Sequence, residues 1–600
     1  MKYSRFLRSF GFLLMSIPVL SQQNTEVQNN ISFFPQKGAK NINPDTHLEI
    51  TFESKPIIGD TGEIRIYDAT DYHLVDKLDM SVPPGPTERT KAPKPPYTPE
   101  PYQYLSGNQS NANTKPGTPS GLAEPTPDNY QLTIIGGFTD GFHFFPIIVH
   151  DKTAIIYPHN NLLEYGKTYY VEIDPGVLME EGKKSLEIKG KSSWIFSTKK
   201  EAPSLKEKYL IVSRDGSGDF NTVQGAVDFI PDYHPERIVI FIKKGIYEEI
   251  VYFRNKTNIT FLGEDREQVI IQYANREVFN PHPVNIATNE VPGTFPSRRA
   301  AFAADNCKGI HLVNMTIRSL SERAQAEGLL LNGKQNIAYN VTIGGSGDAL
   351  QSNGSAYYEK CTVDGWGDLV LGRGPAFFKD CILKASGPFM WIRNTNKNHG
   401  NVFVNSQFIA PEGKETVIAR APNNKGKNYP YAEAVLINCS LSGIVPEGWG
   451  QIGGETENIH YWEYNSTNLD DGSPVDISKR HPASRQLTME HDSALIANYS
   501  TPSFILNEWS PLMAPLIVSQ PKSAIIPKKG RAEFSIRIAA IPAPEYQWFK
   551  NGEPVIGANT NTLIIEEVSK SDRAAYTVKV KNIAGEVMSM KALLELKGKK

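Results

Sequence analysis

A stretch in the middle of this chain repeats after twenty residues, and an acid repeats along with the apolar residues. Ala356-Tyr-Tyr-Glu-Lys-Cys361 returns as Ala376-Phe-Phe-Lys-Asp-Cys381, and each cysteine follows an aspartate by thirteen residues, Asp348 in one copy and Asp368 in the next. A unit this short, without a helical period and ending in a short apolar strand, suits one coil of a solenoid of parallel strands. Other coils end alike, in Ile310-His-Leu-Val-Asn-Met315, Ile337-Ala-Tyr-Asn-Val341, Val402-Phe-Val-Asn-Ser406 and Val435-Leu-Ile-Asn-Cys439. Neighbouring strands of such a wall lie about 4.8 Å apart, so Asp348 and Asp368 are expected side by side. Two close carboxyls resist ionising together. One is then expected to keep its proton while the other stays charged, which supplies an acid and a base or nucleophile.

The chain has 600 residues, more than one core usually covers, so about three domains are expected. Its 63 basic and 65 acidic residues nearly balance, and the sequence shows no basic stripe, which argues against a nucleic-acid partner. Residues 1–21 read as a signal peptide, with Lys2, Arg5 and Arg8 ahead of the apolar run Phe10 to Leu20 and the small Ser21. Export to the periplasm or beyond is the expectation, with no membrane span, since no second apolar run is long enough to cross a bilayer. Cys307, Cys361, Cys381 and Cys439 are too sparse for a disulfide scaffold and read as buried thiols, although Cys361 and Cys381 lie in register on adjacent coils, within reach of a bridge.

Flanking the solenoid, residues 30–200 carry the alternating runs Leu48-Glu-Ile-Thr-Phe52, Glu63-Ile-Arg-Ile-Tyr67, Tyr169-Tyr-Val-Glu-Ile173 and Trp194-Ile-Phe-Ser197, the pattern of a β-sandwich. Between about 83 and 127 the composition turns to Pro, Thr, Gly and Asn, which reads as a flexible insertion. Residues 515–597 contain Tyr546-Gln-Trp-Phe-Lys-Asn-Gly552 and Asp572-Arg-Ala-Ala-Tyr576, which match an immunoglobulin-like sandwich with Trp548 as core tryptophan and Tyr576 as corner tyrosine. The usual inter-sheet cysteines are missing, so packing alone must hold that sandwich.

Between 208 and 495 a series of motifs falls in one order. These are Val212-Ser-Arg-Asp-Gly-Ser-Gly-Asp-Phe220, Ile240-Phe-Ile-Lys-Lys-Gly-Ile-Tyr-Glu-Glu249, Ile259-Thr-Phe-Leu-Gly263, Gln325-Ala-Glu-Gly-Leu329, Gly345-Ser-Gly-Asp-Ala-Leu350, Gly367-Asp-Leu-Val-Leu-Gly372, Arg420, Pro446-Glu-Gly-Trp449 and Glu463-Tyr-Asn465. In order and spacing this stretch resembles the pectin methylesterases. The resemblance implies a right-handed parallel β-helix acting on pectin without cofactor; with the flanking segments read as N-terminal and C-terminal Ig-like β-sandwich domains, an all-β chain is expected, acting as a monomer, and the sequence shows no cluster with metal-ligand spacing. It also implies roles. Asp368 resembles the nucleophile and Asp348 the general acid, Gln325 resembles a donor to the oxyanion, and Arg420 the arginine beside the nucleophile. That arginine is expected to lower the pKa of Asp368 and leave the proton on Asp348. Trp366, Trp391 and Arg393 are candidates for contact with the sugar.

Two positions depart from the family pattern. Gly347 stands where a second glutamine precedes the acid aspartate, and a lost oxyanion donor typically costs roughly 100- to 1000-fold. Ala421-Pro422 stands where the family has Pro-Trp. Two other readings therefore stay open: a pectin-binding or adhesion solenoid without turnover, and a lyase or glycosidase on the same scaffold. A Ser-His-Asp esterase is disfavoured, because no serine sits in a Gly-x-Ser-x-Gly elbow, and His399 reads as a turn residue or substrate contact.

Overall fold

The computed structural model describes residues 31–87, 130–135, 141–280, 298–420, 422–424, 427–452 and 456–597. The signal-peptide segment, all but the start of the proline-rich stretch, and Ala421 lie outside the described residues.

The first unit is a β-sandwich. One sheet runs Ser32–Phe34, Leu48–Thr51, Thr153–Ile156, Ile147–His150. The other runs Ala39–Ile42, Ile195–Thr198, Thr168–Ile173, Glu63–Asp68, Leu74–Asp79. Strand Glu63–Asp68 shows why its sequence alternates: Ile64 and Ile66 face the core and the residues between them do not. Trp194 is fully buried there, and its Nε1 donates to the Pro35 carbonyl at 2.9 Å. Asp45 ties this unit to the next by accepting from the Asn221 and Thr222 amides and the Thr222 hydroxyl, at the start of the helix Val223–Phe229.

The second unit is a parallel β-helix of three walls. Its longest wall has eleven strands from Tyr209–Val212 to Arg485–Gln486, the second has nine from Gly245–Glu248 to Thr467–Asn468, and the third has six from Val251–Arg254 to Met390–Ile392. The repeat seen in the sequence is one coil, since Ala356 pairs with Ala376 and Tyr357 with Phe377 on the long wall. Inside the coil Tyr358, Phe378 and Phe403 stack at 4.5 and 4.4 Å between ring centres. The polar residue after each strand also has a reason. Asn314, Asn340, Lys360, Asp380, Asn405, Asn438 and Asn465 all have φ between 51° and 60°, the left-handed region that asparagine and aspartate tolerate best. Asparagines at this corner bond up the stack, Asn340 to Asn314 at 2.8 Å and Asn465 to Asn438 at 2.9 Å. All four cysteines are buried and free, as buried thiols were expected to be.

Strands of the long wall are apolar on both faces because both are covered. Outside, Ile337, Tyr357, Phe377, Val402 and Val435 pack under the helix Met489–Tyr499, the short helix Pro502–Ile505, and Met513, Ala539 and Ile541 of the third unit. Residue 495, where the sequence placed the end of the solenoid, lies inside the first of those helices.

In the C-terminal sandwich Trp548 is fully buried and pairs across the sheet with Val578, which stands where a cysteine would be expected. The Tyr576 hydroxyl donates to the Asp572 carbonyl at 3.0 Å, closing the corner.

Candidate active site

Asp348 and Asp368 stand at the same turn of consecutive coils. Gly347 bridges Gly367, Leu350 pairs with Val370, and the Asp348 amide donates to the Gly367 carbonyl at 3.0 Å. Both aspartates have left-handed backbone, with φ of 67° and 47°. They sit one layer apart at the entrance to the third wall, the arrangement the twenty-residue period predicts.

Arg420 enters two coils further on. Its amide donates to the Met390 carbonyl at 2.8 Å, which adds a rung to the third wall, and its Nη1 lies 2.9 Å from Asp368 Oδ2. The other oxygen, Asp368 Oδ1, is buried and accepts no hydrogen bond. Below Arg420 lies Trp391, whose ring centre is 4.9 Å from the Arg420 guanidinium and 3.8 Å from that of Arg393. Trp391, Arg393 and Arg420 thus form one cluster beside Asp368. Trp366 stands apart from it, 65% exposed, on a hollow of about 640 Å³ that it shares with Arg318, Leu320, Arg323 and Ser346.

Two residues that sequence reasoning passed over complete the centre. Arg299 is buried and bonds three partners at once: its Nε lies 2.8 and 2.9 Å from the Glu327 oxygens, Nη1 is 2.8 Å from Gln325 Oε1, and Nη2 is 2.8 Å from Asp348 Oδ2. Glu327 is fully buried. The signal was present in the sequence as an acid inside the apolar run Ala326-Glu-Gly-Leu-Leu-Leu331, where a charge needs a partner.

Charge at the centre does not follow the expectation drawn from Arg420. Burial raises the Asp368 carboxyl most; Arg420 and Arg393 pull it back, the Asp348 charge pushes it further, and it settles at about 6. Arg420 is half-exposed, so its attraction does not offset what Asp368 loses by leaving water. Burial also works against the Arg299 charge, but the charges of Glu327 and Asp348 more than offset it and hold the guanidinium above its usual range.

His399 is neither at this centre nor in an open turn. Its Nδ1 is 2.8 Å from Oε1 of the buried Glu433, whose carboxylate also takes His460 and Tyr499. Among the described residues one group could bring three ligand atoms within 4.8 Å of one another, Asp68, Asp71 and His73. It lies on the N-terminal sandwich, and Asp68 is already bonded to Lys167 and to the Thr70 amide.

Comparison with known proteins decides the family. The pectinesterase family model matches residues 209–508, half of the chain. This chain belongs to the pectinesterase family. An immunoglobulin-domain model matches residues 514–582. A probable pectinesterase/pectinesterase inhibitor 19 of Arabidopsis thaliana is 28% identical over 295 residues, covering 46% of this chain and 54% of that protein. A probable pectinesterase 30 of the same plant is 28% identical over 291 residues, covering 46% and 56%. The chain thus spans about half the length of the curated relatives it matches. Among solved structures, a pectin methylesterase from carrot aligns with a TM-score of 0.41 at 23% identity, covering 50% of this chain and 93% of that one. Pectin methylesterase PemA from Erwinia chrysanthemi aligns at 0.39 and 21%, covering 50% and 97%.

Proposed function

We propose that this pectinesterase-family chain hydrolyses methyl esters of polygalacturonate, and that Asp368 and Asp348 carry out the reaction. The observation that carries the reading is the free oxygen of Asp368. Oδ2 is fixed by Arg420 while Oδ1 accepts no hydrogen bond, which leaves one oxygen of an oriented carboxylate with no donor competing for its lone pairs.

In this reading Oδ1 of charged Asp368 bonds to the ester carbonyl carbon, and the carbonyl oxygen takes up the negative charge. The amide of Gln325 donates to that oxyanion. Arg299 can only donate hydrogen bonds, so the Gln325 atom facing it is the oxygen, and the NH₂ group is left for the substrate. The C–OCH₃ bond then breaks, and methoxide leaves as methanol with a proton from Asp348; this step requires Asp348 to be protonated in the substrate complex, against its ion pair with Arg299 in the free chain. Water attacks the acyl-enzyme, gives one proton to Asp348 and the other to solvent, and frees the galacturonate carboxylate together with Asp368. Asp368, titrating at about 6, is mostly charged at neutral pH and ready to attack. Arg393 and Trp391 flank the position of the sugar.

Pectin lies outside the cell in plants, and the basic-then-apolar N-terminal segment supports export of this chain to meet it. The test is methanol release from highly methylated pectin by the full chain, with Asp368→Asn as control. Release by the wild type, reduced in the variant by on the order of 10,000-fold, is expected. Undiminished release by the variant would remove the assigned nucleophile, and pectin binding without any methanol would favour the adhesion reading.

A further inference from the structure

The family's second oxyanion glutamine is absent, and the residue in its place, Gly347, contributes no side chain to the reaction. The ladder that runs Gln325, Gly347, Gly367 places that gap directly between the remaining donor and the layer of the nucleophile. A single amide must then stabilise the oxyanion. The loss is compensated only if that amide is held more firmly or donates more strongly than an ordinary glutamine would.

Arg299 is placed to do both. Its Nη1 bonds Gln325 Oε1 at 2.8 Å, and its Nη2 bonds Asp348 Oδ2 at 2.8 Å. One planar guanidinium therefore spans the proposed oxyanion donor and the proposed proton carrier, and its rigid fork fixes them relative to each other. A cation on the carbonyl side of an amide draws electron density toward that oxygen and makes the N–H side a better donor, an effect strengthened by low local dielectric. Gln325 is itself exposed, and among the described residues no other hydrogen bond holds its side-chain amide. Arg299 in turn is locked from behind by Glu327, whose two oxygens face the same Nε in a fully buried setting.

We propose that Arg299 and Glu327 are a positioning pair that compensates for Gly347. Glu327 fixes the guanidinium, and the guanidinium orients and polarises the Gln325 amide while holding Asp348 in register with it. Neither residue touches substrate. The inference rests on the pectin-esterase reading of the site, and it adds that one buried cation replaces a second amide.

Removing Arg299 alone would leave Glu327 buried and unpaired, which can unfold the chain, so the informative variant replaces both with apolar residues of similar volume. The double variant Arg299→Met, Glu327→Leu removes one charge of each sign and should stay folded, its melting temperature lowered only by the loss of the Asp348 partner, yet lose kcat on methylated pectin by roughly 100-fold, with KM within about twofold, because only transition-state stabilisation is removed. Adding Gly347→Gln to that variant should recover roughly 10-fold in kcat, against about twofold in the wild type. A Cβ at Gly347 would lie 3.3 Å from the Ala324 carbonyl and 3.8 Å from that of Gly367, so a side chain enters with a small adjustment. A folded double variant within about threefold of wild-type kcat would overturn the pairing's role, as would a Gly347→Gln gain equal in both backgrounds. A crystal structure of the double variant gives an answer independent of turnover. The Gln325 amide and Asp348 carboxylate should leave their present positions, and finding both unmoved would overturn the proposal. Wild-type protein that releases no methanol would instead count against the esterase reading, with the crystallographic result still deciding the positioning.

Discussion

Two carboxylates of the β-helix, Glu433 and Asp368, differ in what surrounds them. Glu433 accepts from His399 at 2.8 Å, His460 at 2.7 Å, the Tyr499 hydroxyl at 2.7 Å and the Gly400 amide at 3.1 Å. Burial pushes its carboxyl up, yet those hydrogen bonds and the neighbouring His399 bring it down to about 2. Asp368 is also taken out of water, has one ion-pair partner, and rises to about 6. Burial alone does not set the charge; the number of donors does. Glu433 is saturated and joins the helix Met489–Tyr499 to the coil, whereas Asp368 is left under-satisfied, as its proposed role as nucleophile requires.

The largest effect expected is on Asp368. Asp368→Asn should reduce methanol release by on the order of 10,000-fold, since the neutral amide offers no anionic oxygen to form the acyl-enzyme. Its stability should move the other way. The folded carboxyl titrates at about 6 against an ordinary 3.8, so its charge costs stability that is absent below the ordinary value and fully felt above about 6. The variant should therefore gain in melting temperature over wild type at pH 8 but not at pH 4, and a loss at pH 8 would undo the contrast with Glu433. In wild type the same titration predicts that kcat/KM rises with pH through about 6.

Next comes Arg420→Met. Without that guanidinium the Asp368 carboxyl rises further, so the acid limb of the pH profile should move above 6 and activity at pH 6 should drop by roughly 100-fold, less at pH 8. An unmoved limb would mean that Arg420 does not govern the charge of Asp368.

Glu433→Ala tests the other half of the comparison. It should cost about 3 to 5 kcal/mol of stability, read by denaturant unfolding, because two imidazoles and a hydroxyl lose their shared acceptor. Wild-type stability from this group is present above the ordinary 4.5 and lost as pH falls through about 2, the opposite sign to Asp368. Turnover of the folded variant should stay near wild type, since the cluster lies outside the aspartate centre.

The smallest effect is expected from Trp366→Ala. Trp366 is exposed and apart from the Trp391 cluster, so kcat should hold and KM should rise by no more than about threefold. A larger change in KM would extend the substrate groove across the hollow beside Arg318 and Arg323.

Much of this architecture was written in a period. The match of Ala356–Cys361 to Ala376–Cys381 placed Asp348 and Asp368 on neighbouring layers, because a strand ladder repeats at a fixed spacing and whatever sits at one point of the repeat stacks. Trp548 and Tyr576 announced the C-terminal sandwich in the same way, through residues whose partners are set within one local motif. Three things could not be read. The helix Met489–Tyr499 covers the long wall through residues far apart in the chain, and Arg299 reaches Gln325, Glu327 and Asp348 from outside the repeat. The Asp368 carboxyl moved against expectation because exposure of Arg420 and burial of Asp368 are properties of packing.

The order of residues by itself determined the solenoid, its layer spacing and the pairing of two acids, since these follow from periodicity and short-range strand geometry. Tertiary structure alone decided which carboxylate is satisfied, which guanidinium is buried and which oxygen is left without a donor. Desolvation and hydrogen bonding depend on every atom within a few ångströms, and in this fold those atoms come from coils and segments that the sequence separates by dozens of residues.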